Sequence, residues 1–125
     1  MNTLFARCIL SDRSPSDGVR ISVMSRHTLN DGITPDARID SSRFDLHYPD
    51  LAPSPRLIGD YYKRALSWPD FEARFREEMK GPKAISAMGE IVRMAREGNV
   101  TLLCIEEGDE MCHRRLLVEI MGERA

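Results

Sequence analysis

The feature that most constrains the fold of this chain is an uninterrupted apolar run that ends at an acidic residue. Residues 100–105 read VTLLCI, and Glu106 follows them. A run without polar alternation is typical of a central strand in a sheet that is covered on both faces. A short polar turn then leads to Cys112, His113 and Arg114, which open a segment with helical spacing. The pattern therefore predicts a buried strand that is followed directly by the last helix.

Three earlier segments carry the weaker, alternating pattern of strands. They span residues 3–10, 19–24 and 43–48. In the second segment Arg20 and Ser22 alternate with apolar residues, which predicts either a position near the sheet edge or a polar face. The segment after it, residues 25–38, is a loop of about fourteen residues, and loops of that length are typically functional or mobile.

Helices are predicted from start signals and from apolar spacing. Ser54 precedes a proline, and Ser67 is followed two residues later by Pro69, so both serines are expected to cap helices. Two further helices are predicted over residues 83–97 and over residues 112–121. We interpret the aromatic stripe of the first two helices as core rather than as a platform for stacking bases; its members are Tyr61, Tyr62, Phe71 and Phe75.

The mixture of strands and helices predicts one α/β domain over residues 1–125. We expect a three-layer-like arrangement in which a small, mixed or mainly parallel sheet of about four strands is flanked by helices. The formal charge is −2, so the chain as a whole has no attraction for nucleic acid or an anionic membrane, although a local basic patch is left open. No apolar run approaches the roughly 20 residues of a membrane-spanning helix. Three cysteines without an export signal predict reduced thiols and a cytoplasmic protein.

Polar residues follow the predicted strands at the place where α/β sheets bind ligands. In open sheets of this class, ligands bind beyond the carboxyl ends of the strands. We therefore hypothesise a pocket that captures a nucleotide-like or other anionic small molecule, using guanidinium groups and the positive end of the last helix. Its expected ligand-binding residues are Ser25, Arg26 and Arg114, and its expected catalytic residues are Glu106, Cys112 and His113.

Each expected catalytic residue has an assigned chemistry. Glu106 would orient a hydroxyl group or act as a general base, and His113 would donate a proton. Cys112, at a helix N-terminus beside an imidazole, would be an activated thiol, although acidic neighbours oppose its ionisation. The scattered cysteines and histidines lack the paired spacings of zinc sites, so we expect no metal, and the sequence identifies no cofactor.

Two other interpretations remain open. In a non-enzymatic interaction module, Cys112 and His113 would simply pack inward, and Arg114 would pair with Glu110 on the solvent face. In a redox protein, Cys112 would act with Cys104 as its resolving partner, which the expected burial of that strand makes the least favoured interpretation. The sequence does not indicate an oligomeric state.

The stretch LLCIEEGDEMCHRRLLVEIM resembles the C-terminal signature of the domain of unknown function 488 family. Members end with a strand of the type LLC-x-E, a short turn, and Cys-His-Arg opening the last helix. VRISVMSRH and FDLHYPDLAPSPRLIGDYYKRALSWPDFEARFREEM are similar to the compact branch of that family, so the resemblance covers about residues 19–121.

The resemblance implies a small α/β fold and no particular activity. It also implies a shared pocket around Glu106, Cys112, His113 and Arg114. The chain departs from the compact branch in one loop, where SRHTLNDG replaces an Arg-x-Trp-Pro-Arg-Gly type segment and only Arg26 is a plausible counterpart.

Overall fold

The strands of this protein form one parallel sheet. A computed structural model describes residues 3–29, 33–105 and 113–124. Within these ranges the strands are β1 (Leu4–Cys8), β2 (Val19–Ser22), β3 (Leu46–His47) and β4 (Val100–Cys104). Their order in the sheet is β1-β4-β2-β3, and every neighbouring pair is parallel. All four carboxyl ends therefore lie along the same edge.

Four helices accompany the strands in the described part of the chain. They are α1 (Pro55–Lys63), α2 (Trp68–Glu78), α3 (Pro82–Glu97) and α4 (His113–Arg124). The Ser54 hydroxyl accepts a hydrogen bond from the backbone N–H of Leu57, and the Ser67 hydroxyl accepts one from that of Asp70. The predicted start signals of α1 and α2 are thus confirmed. None of these helices is long and apolar enough to cross a membrane.

The helices pack their apolar faces into one large cluster against one face of the sheet. Buried side chains from all four helices meet Leu4, Ile21 and Leu102 there. Leu103 points to the opposite face, because neighbouring residues of a strand alternate. On that face a smaller cluster is built from strand ends and connecting segments; it contains Ile9, Ile39 and Leu103, with Phe44 packed against it.

The predicted fold class is confirmed. The sheet has four parallel strands flanked by helices, which is an α/β arrangement. The prediction for β4 is also confirmed, since all five of its residues are buried and it lies between β1 and β2.

The structure corrects one of the two alternatives for β2. This strand lies between β4 and β3, so a position at the sheet edge is wrong, and its polar residues Arg20 and Ser22 are fully buried. The Arg20 guanidinium is satisfied by Asp17 at 2.7 Å and by the backbone carbonyls of Arg43 at 2.8 Å and Ser11 at 3.1 Å. A polar face exists, but connecting segments cover it and supply its hydrogen-bond partners.

The turn that enters β2 depends on Gly18. Its φ is +63°, a left-handed conformation that favours glycine. A Cβ atom at this position would lie 1.9 Å from the backbone oxygen of Asn99, which accepts the N–H of Val19 at 3.0 Å. The close approach joins the start of β2 to the residue before β4, and it places Asp17 beside Arg20.

We predict that Asp17→Asn lowers the free energy of unfolding by about 3 kcal/mol, because it leaves the buried Arg20 charge without its carboxylate. Urea unfolding followed by circular dichroism measures the loss. Glu77→Gln is the matched control, since its ion pair with Lys80 is exposed on both sides and its removal should cost less than about 1 kcal/mol. Equal losses in the two variants would contradict this role for Asp17.

Asp17 should also contribute to acid sensitivity. Burial alone would raise the pKa of its carboxyl group, but the backbone N–H of Ser14 and the guanidinium groups of Arg7 and Arg20 outweigh burial and hold that pKa below its ordinary value. The stabilisation is therefore complete above the unfolded-state pKa of about 3.9 and is lost as pH falls through the lower folded-state pKa. We expect the stability of Asp17→Asn to fall less steeply below about pH 4 than that of the natural protein. The free energy of unfolding in urea is measured at a series of acidic pH values for both proteins. The same slope against pH in Asp17→Asn and in the natural protein would contradict this prediction.

Candidate functional site

A pocket of about 140 Å³ lies at the carboxyl edge of the sheet. The end of β4 and the segments that follow β2 and β3 meet there, as expected for a parallel α/β sheet. Helices α1 and α2 form one wall, and α4 begins beside its buried end. The lining residues are Met24, Ser25, Arg26, Ala52, Pro53, Ile58, Tyr61, Tyr62, Trp68, Phe71, Cys104, Ile105 and His113.

The wall formed by α1 and α2 is aromatic. Trp68 stacks on Phe71, with ring centroids 4.9 Å apart and planes inclined by 14°. Tyr61 packs edge-on against Trp68 at 5.9 Å and tilted against Phe71 at 5.1 Å. Tyr62 is 67% exposed and also lines the pocket. These rings give the pocket an aromatic wall on the side of α1 and α2.

The interpretation of these aromatic residues as core is therefore wrong for part of the stripe. Phe71 and Phe75 are buried in the main cluster, as predicted, and the half-buried Tyr61 packs against it, but Tyr62 is 67% exposed. Tyr61 and Tyr62 are adjacent on α1 and point about 100° apart, so the two rings have different surroundings. Adjacent apolar residues on a helix are not by themselves a signal for such a wall, since Leu116 and Leu117 of α4 are both fully buried.

Two of the expected ligand-binding residues lie at the mouth of the pocket. Ser25 and Arg26 follow β2, are exposed, and line the opening. The segment that carries them is held by histidine contacts: Nε2 of His47 donates to the carbonyl of Met24 at 2.6 Å, and Nε2 of His27 lies 2.7 Å from the Ser22 hydroxyl. Hydroxyl and guanidinium groups at the opening can donate hydrogen bonds to an anion.

The two imidazoles behind this segment lie against each other. The ring centroids of His27 and His47 are 4.3 Å apart. Burial lowers the pKa of His27, and the nearby His47 charge lowers it further. Because His47 bonds the backbone carbonyl of Met24 and His27 bonds the Ser22 hydroxyl, we assign both rings a supporting role. The described residues contain no group of three or more His, Cys, Asp or Glu side chains arranged to hold a metal ion.

His113 lies at the buried end of the pocket, at the first residue of α4. Its side chain is 8% exposed, and its Nε2 is 2.8 Å from the carbonyl oxygen of Val23. A carbonyl only accepts, so Nε2 carries the hydrogen, and Nδ1 of the neutral ring carries the lone pair. Nδ1 lies 3.8 Å from Sγ of Cys104, and the ring also packs edge-on against Phe75. The predicted inward orientation of His113 is confirmed.

Arg114 was expected either to bind the ligand or to pair with Glu110 on the solvent face, and it is instead buried behind the pocket. Its side chain is 1% exposed, so the alternative in which it pairs with Glu110 on the solvent face is wrong. Its Nη1 donates to the carbonyl oxygen of Cys104 at 3.1 Å, the oxygen that also accepts the N–H of Ile9 at 2.7 Å. Arg114 does not line the pocket. It fixes the end of β4, on which the pocket is built.

Two expected catalytic residues, Glu106 and Cys112, lie outside the described residues, as does Glu110. Their roles stay predictions, and so does the redox interpretation that joins Cys112 to Cys104. Cys104 itself is 3% exposed and lines the pocket. The contact of its thiol with His113 could not be predicted from the sequence, because a cysteine and a histidine nine residues apart are not a recognisable motif.

Comparison with known proteins supports the resemblance. A family model, DUF488-N3a, described as the active DUF488-N3 subclade, matches residues 4–125. Searches of the curated proteins and of the solved structures returned no match. The family match covers nearly the whole chain, including the strand, turn and Cys-His-Arg segment on which the resemblance was based. The chain therefore belongs to the DUF488-N3a family.

Proposed function

We propose that this protein binds a small molecule that joins one aromatic ring to an anionic group, as a pyrimidine nucleotide does. The observation that carries the proposal is the composition of the pocket, which combines an aromatic wall with a guanidinium group at its opening. Small-molecule sites are typically concave and mostly apolar, with a few polar groups that fix the orientation of the ligand. The pocket also lies at the edge where α/β sheets bind ligands.

The volume of the pocket supports a ligand with a single ring. An engineered protein cavity of about 150 Å³ accepts one benzene molecule. At about 140 Å³, the space between Tyr61, Trp68 and the end of β4 suits one six-membered ring. A bicyclic purine would have to extend past the half-exposed rim, so a pyrimidine is the better match. Stacking of a base on an aromatic side chain contributes about 1–3 kcal/mol.

The anionic group would lie at the opening. Arg26 is exposed there, and its planar guanidinium can donate two parallel hydrogen bonds to a phosphate or carboxylate. The Ser25 hydroxyl can donate a third. Hydrogen bonds to charged groups contribute about 1.5–3 kcal/mol, which corresponds to an affinity change of at least about tenfold. Because the net charge of the chain is −2, this attraction has to be local.

We further propose that the pocket carries out chemistry on this ligand. The matching family is described as an active subclade, which supports an enzymatic role. His113 reaches the buried end of the pocket and is the described residue best suited to move a proton. Glu106 and Cys112 remain the other expected catalytic residues, and we propose no metal.

A second candidate function is a non-enzymatic interaction module. One observation favours it: His113 and Arg114 both donate to backbone carbonyls, those of Val23 and Cys104, and so hold strand ends together. If the protein is such an interaction module, the Cys-His-Arg motif is structural, and small molecules do not stabilise the protein.

A thermal-shift comparison tests the proposal. Uridine monophosphate at ten times its Kd should add about 1.4 kcal/mol and raise Tm by roughly 4 °C. Uridine, without the phosphate, and ribose 5-phosphate, without the ring, should each bind at least about tenfold more weakly. Arg26→Ala should reduce the affinity for uridine monophosphate to about that of uridine.

Arg96→Ala is the matched control, since Arg96 is an exposed arginine in the last turn of α3 and does not line the pocket. It should leave the affinity unchanged. Stabilisation that is equal in Arg26→Ala and Arg96→Ala, or no stabilisation by any of the three compounds, would overturn the proposal; the latter result would favour the interaction module.

A further inference from the structure

We infer that Cys104 and His113 form a nucleophilic thiol–imidazole pair at the buried end of the pocket, with Cys104 as a catalytic residue. Its substrate class would be a ring-bearing anion with an electrophilic carbon attached to a leaving group. The choice of this substrate class rests on the proposed function. The reactivity of the Cys104 thiol does not depend on the proposed function. The sequence suggested Cys104 only as a resolving partner for Cys112, because the Cys-His-Arg motif indicates Cys112 as the nucleophile.

The hydrogen-bond pattern of His113 selects the tautomer that a general base requires. Its Nε2–H is held by the carbonyl of Val23 at 2.8 Å, so the lone pair of Nδ1 faces Sγ of Cys104 at 3.8 Å. The thiol is therefore the donor of this contact. An adjacent base held by a third group is the usual arrangement that activates a nucleophile, and here Val23 is that third group.

The surroundings of Cys104 favour the thiolate once the proton has moved. His113 lies in the N-terminal turn of α4 as it is described (His113–Arg124), so the half of the helix that carries the positive end of its dipole is on the side of the thiol–imidazole pair. The buried guanidinium of Arg114 is held 3.1 Å from the carbonyl oxygen of the same cysteine. Burial disfavours both the thiolate and the imidazolium, so the proton is expected to move to His113 as Sγ attacks the substrate rather than in the resting protein.

In the proposed chemical step, the group that contains the electrophilic carbon is transferred from its leaving group to Sγ of Cys104. The thiol proton of Cys104 moves to Nδ1 of His113, and Sγ forms a bond to the electrophilic carbon. The bond between that carbon and its leaving group breaks, and the leaving group departs with the electron pair. It then takes the proton from Nδ1, which returns His113 to its neutral tautomer. The products are a covalent thioether or thioester at Cys104 and the protonated leaving group, and no oxidant or reductant is needed.

Cys8 provides an internal reference for this inference. It is the register partner of Cys104 on β1, at the same edge of the sheet. Its Sγ donates to the carbonyl of Ile105 at 3.3 Å, and it does not line the pocket. Cys8 is the more exposed of the two thiols, so accessibility alone would make it react faster than Cys104.

Alkylation of the native, full-length protein by iodoacetamide tests the inference. In this reaction the S–C bond forms, the C–I bond breaks, iodide leaves, and His113 accepts the thiol proton. Rates at Cys104 and Cys8 are measured at about pH 7.5 by mass spectrometry with site-resolving fragmentation. We expect Cys104 to react at least about tenfold faster than Cys8, because general-base assistance contributes about 10²–10⁴-fold and burial offsets part of it. A rate at Cys104 equal to or below that at Cys8 overturns the inference.

A variant adds a second readout. His113→Gln should slow alkylation at Cys104 by about tenfold or more and leave the rate at Cys8 unchanged; an unchanged rate at Cys104 would overturn the assignment of His113 as the base. Should this variant fail to fold, the ratio of the alkylation rates at Cys104 and Cys8 in the natural protein still tests whether Cys104 is activated. These rates are measured without nucleotide, so their outcome is separate from that of the thermal-shift test. Failure of one leaves the other standing.

Discussion

The parallel pairing of β4 with both β1 and β2 is the constraint on which the rest of the structure depends. Val100 is in register with Leu4 on one side and with Val19 on the other, so the three strands start together and end within one residue of each other. Parallel strands require crossovers that return the chain to the starting edge, and the chain therefore places its irregular segments and helix starts at the carboxyl edge. Residues as distant in sequence as Val23, Cys104 and His113 meet there for that reason.

The ends of these strands leave backbone carbonyls that need donors, and charged or ionisable side chains provide them. His113 bonds the carbonyl of Val23, and Arg114 bonds that of Cys104. On the opposite face, Arg20 bonds connecting segments in the same way. Buried polar groups are stable only when they are paired, and each of these pairings fixes a side chain in one orientation. A structural role and a chemical role for His113 are therefore compatible, because the hydrogen bond from Nε2 to Val23 also orients Nδ1 toward Sγ of Cys104.

Much of the fold could be predicted from the sequence because its signals are local. A serine before proline starts α1, and the unbroken apolar run is the central strand. The environment of β2 could not be predicted, since Arg20 is buried by partners such as Asp17 and Arg43 that only the fold brings near it. The place of Ser25 and Arg26 at the opening of the candidate pocket was predictable from their position after a strand. The aromatic wall and the Cys104 thiol were not, because apolar spacing does not distinguish a side chain that faces the core from one that faces a pocket at the edge of that core.

We propose that the crevice between the aromatic wall and the strand ends binds a ring-bearing anion. The chain contains a single tryptophan, Trp68, and it lines this pocket. Its fluorescence therefore reports on the site without any label. A titration with uridine monophosphate is predicted to change the Trp68 emission along a saturable, single-site curve, whereas inorganic phosphate at the same concentrations leaves it unchanged. Emission that stays constant, or that changes linearly and equally with both compounds, would contradict the account.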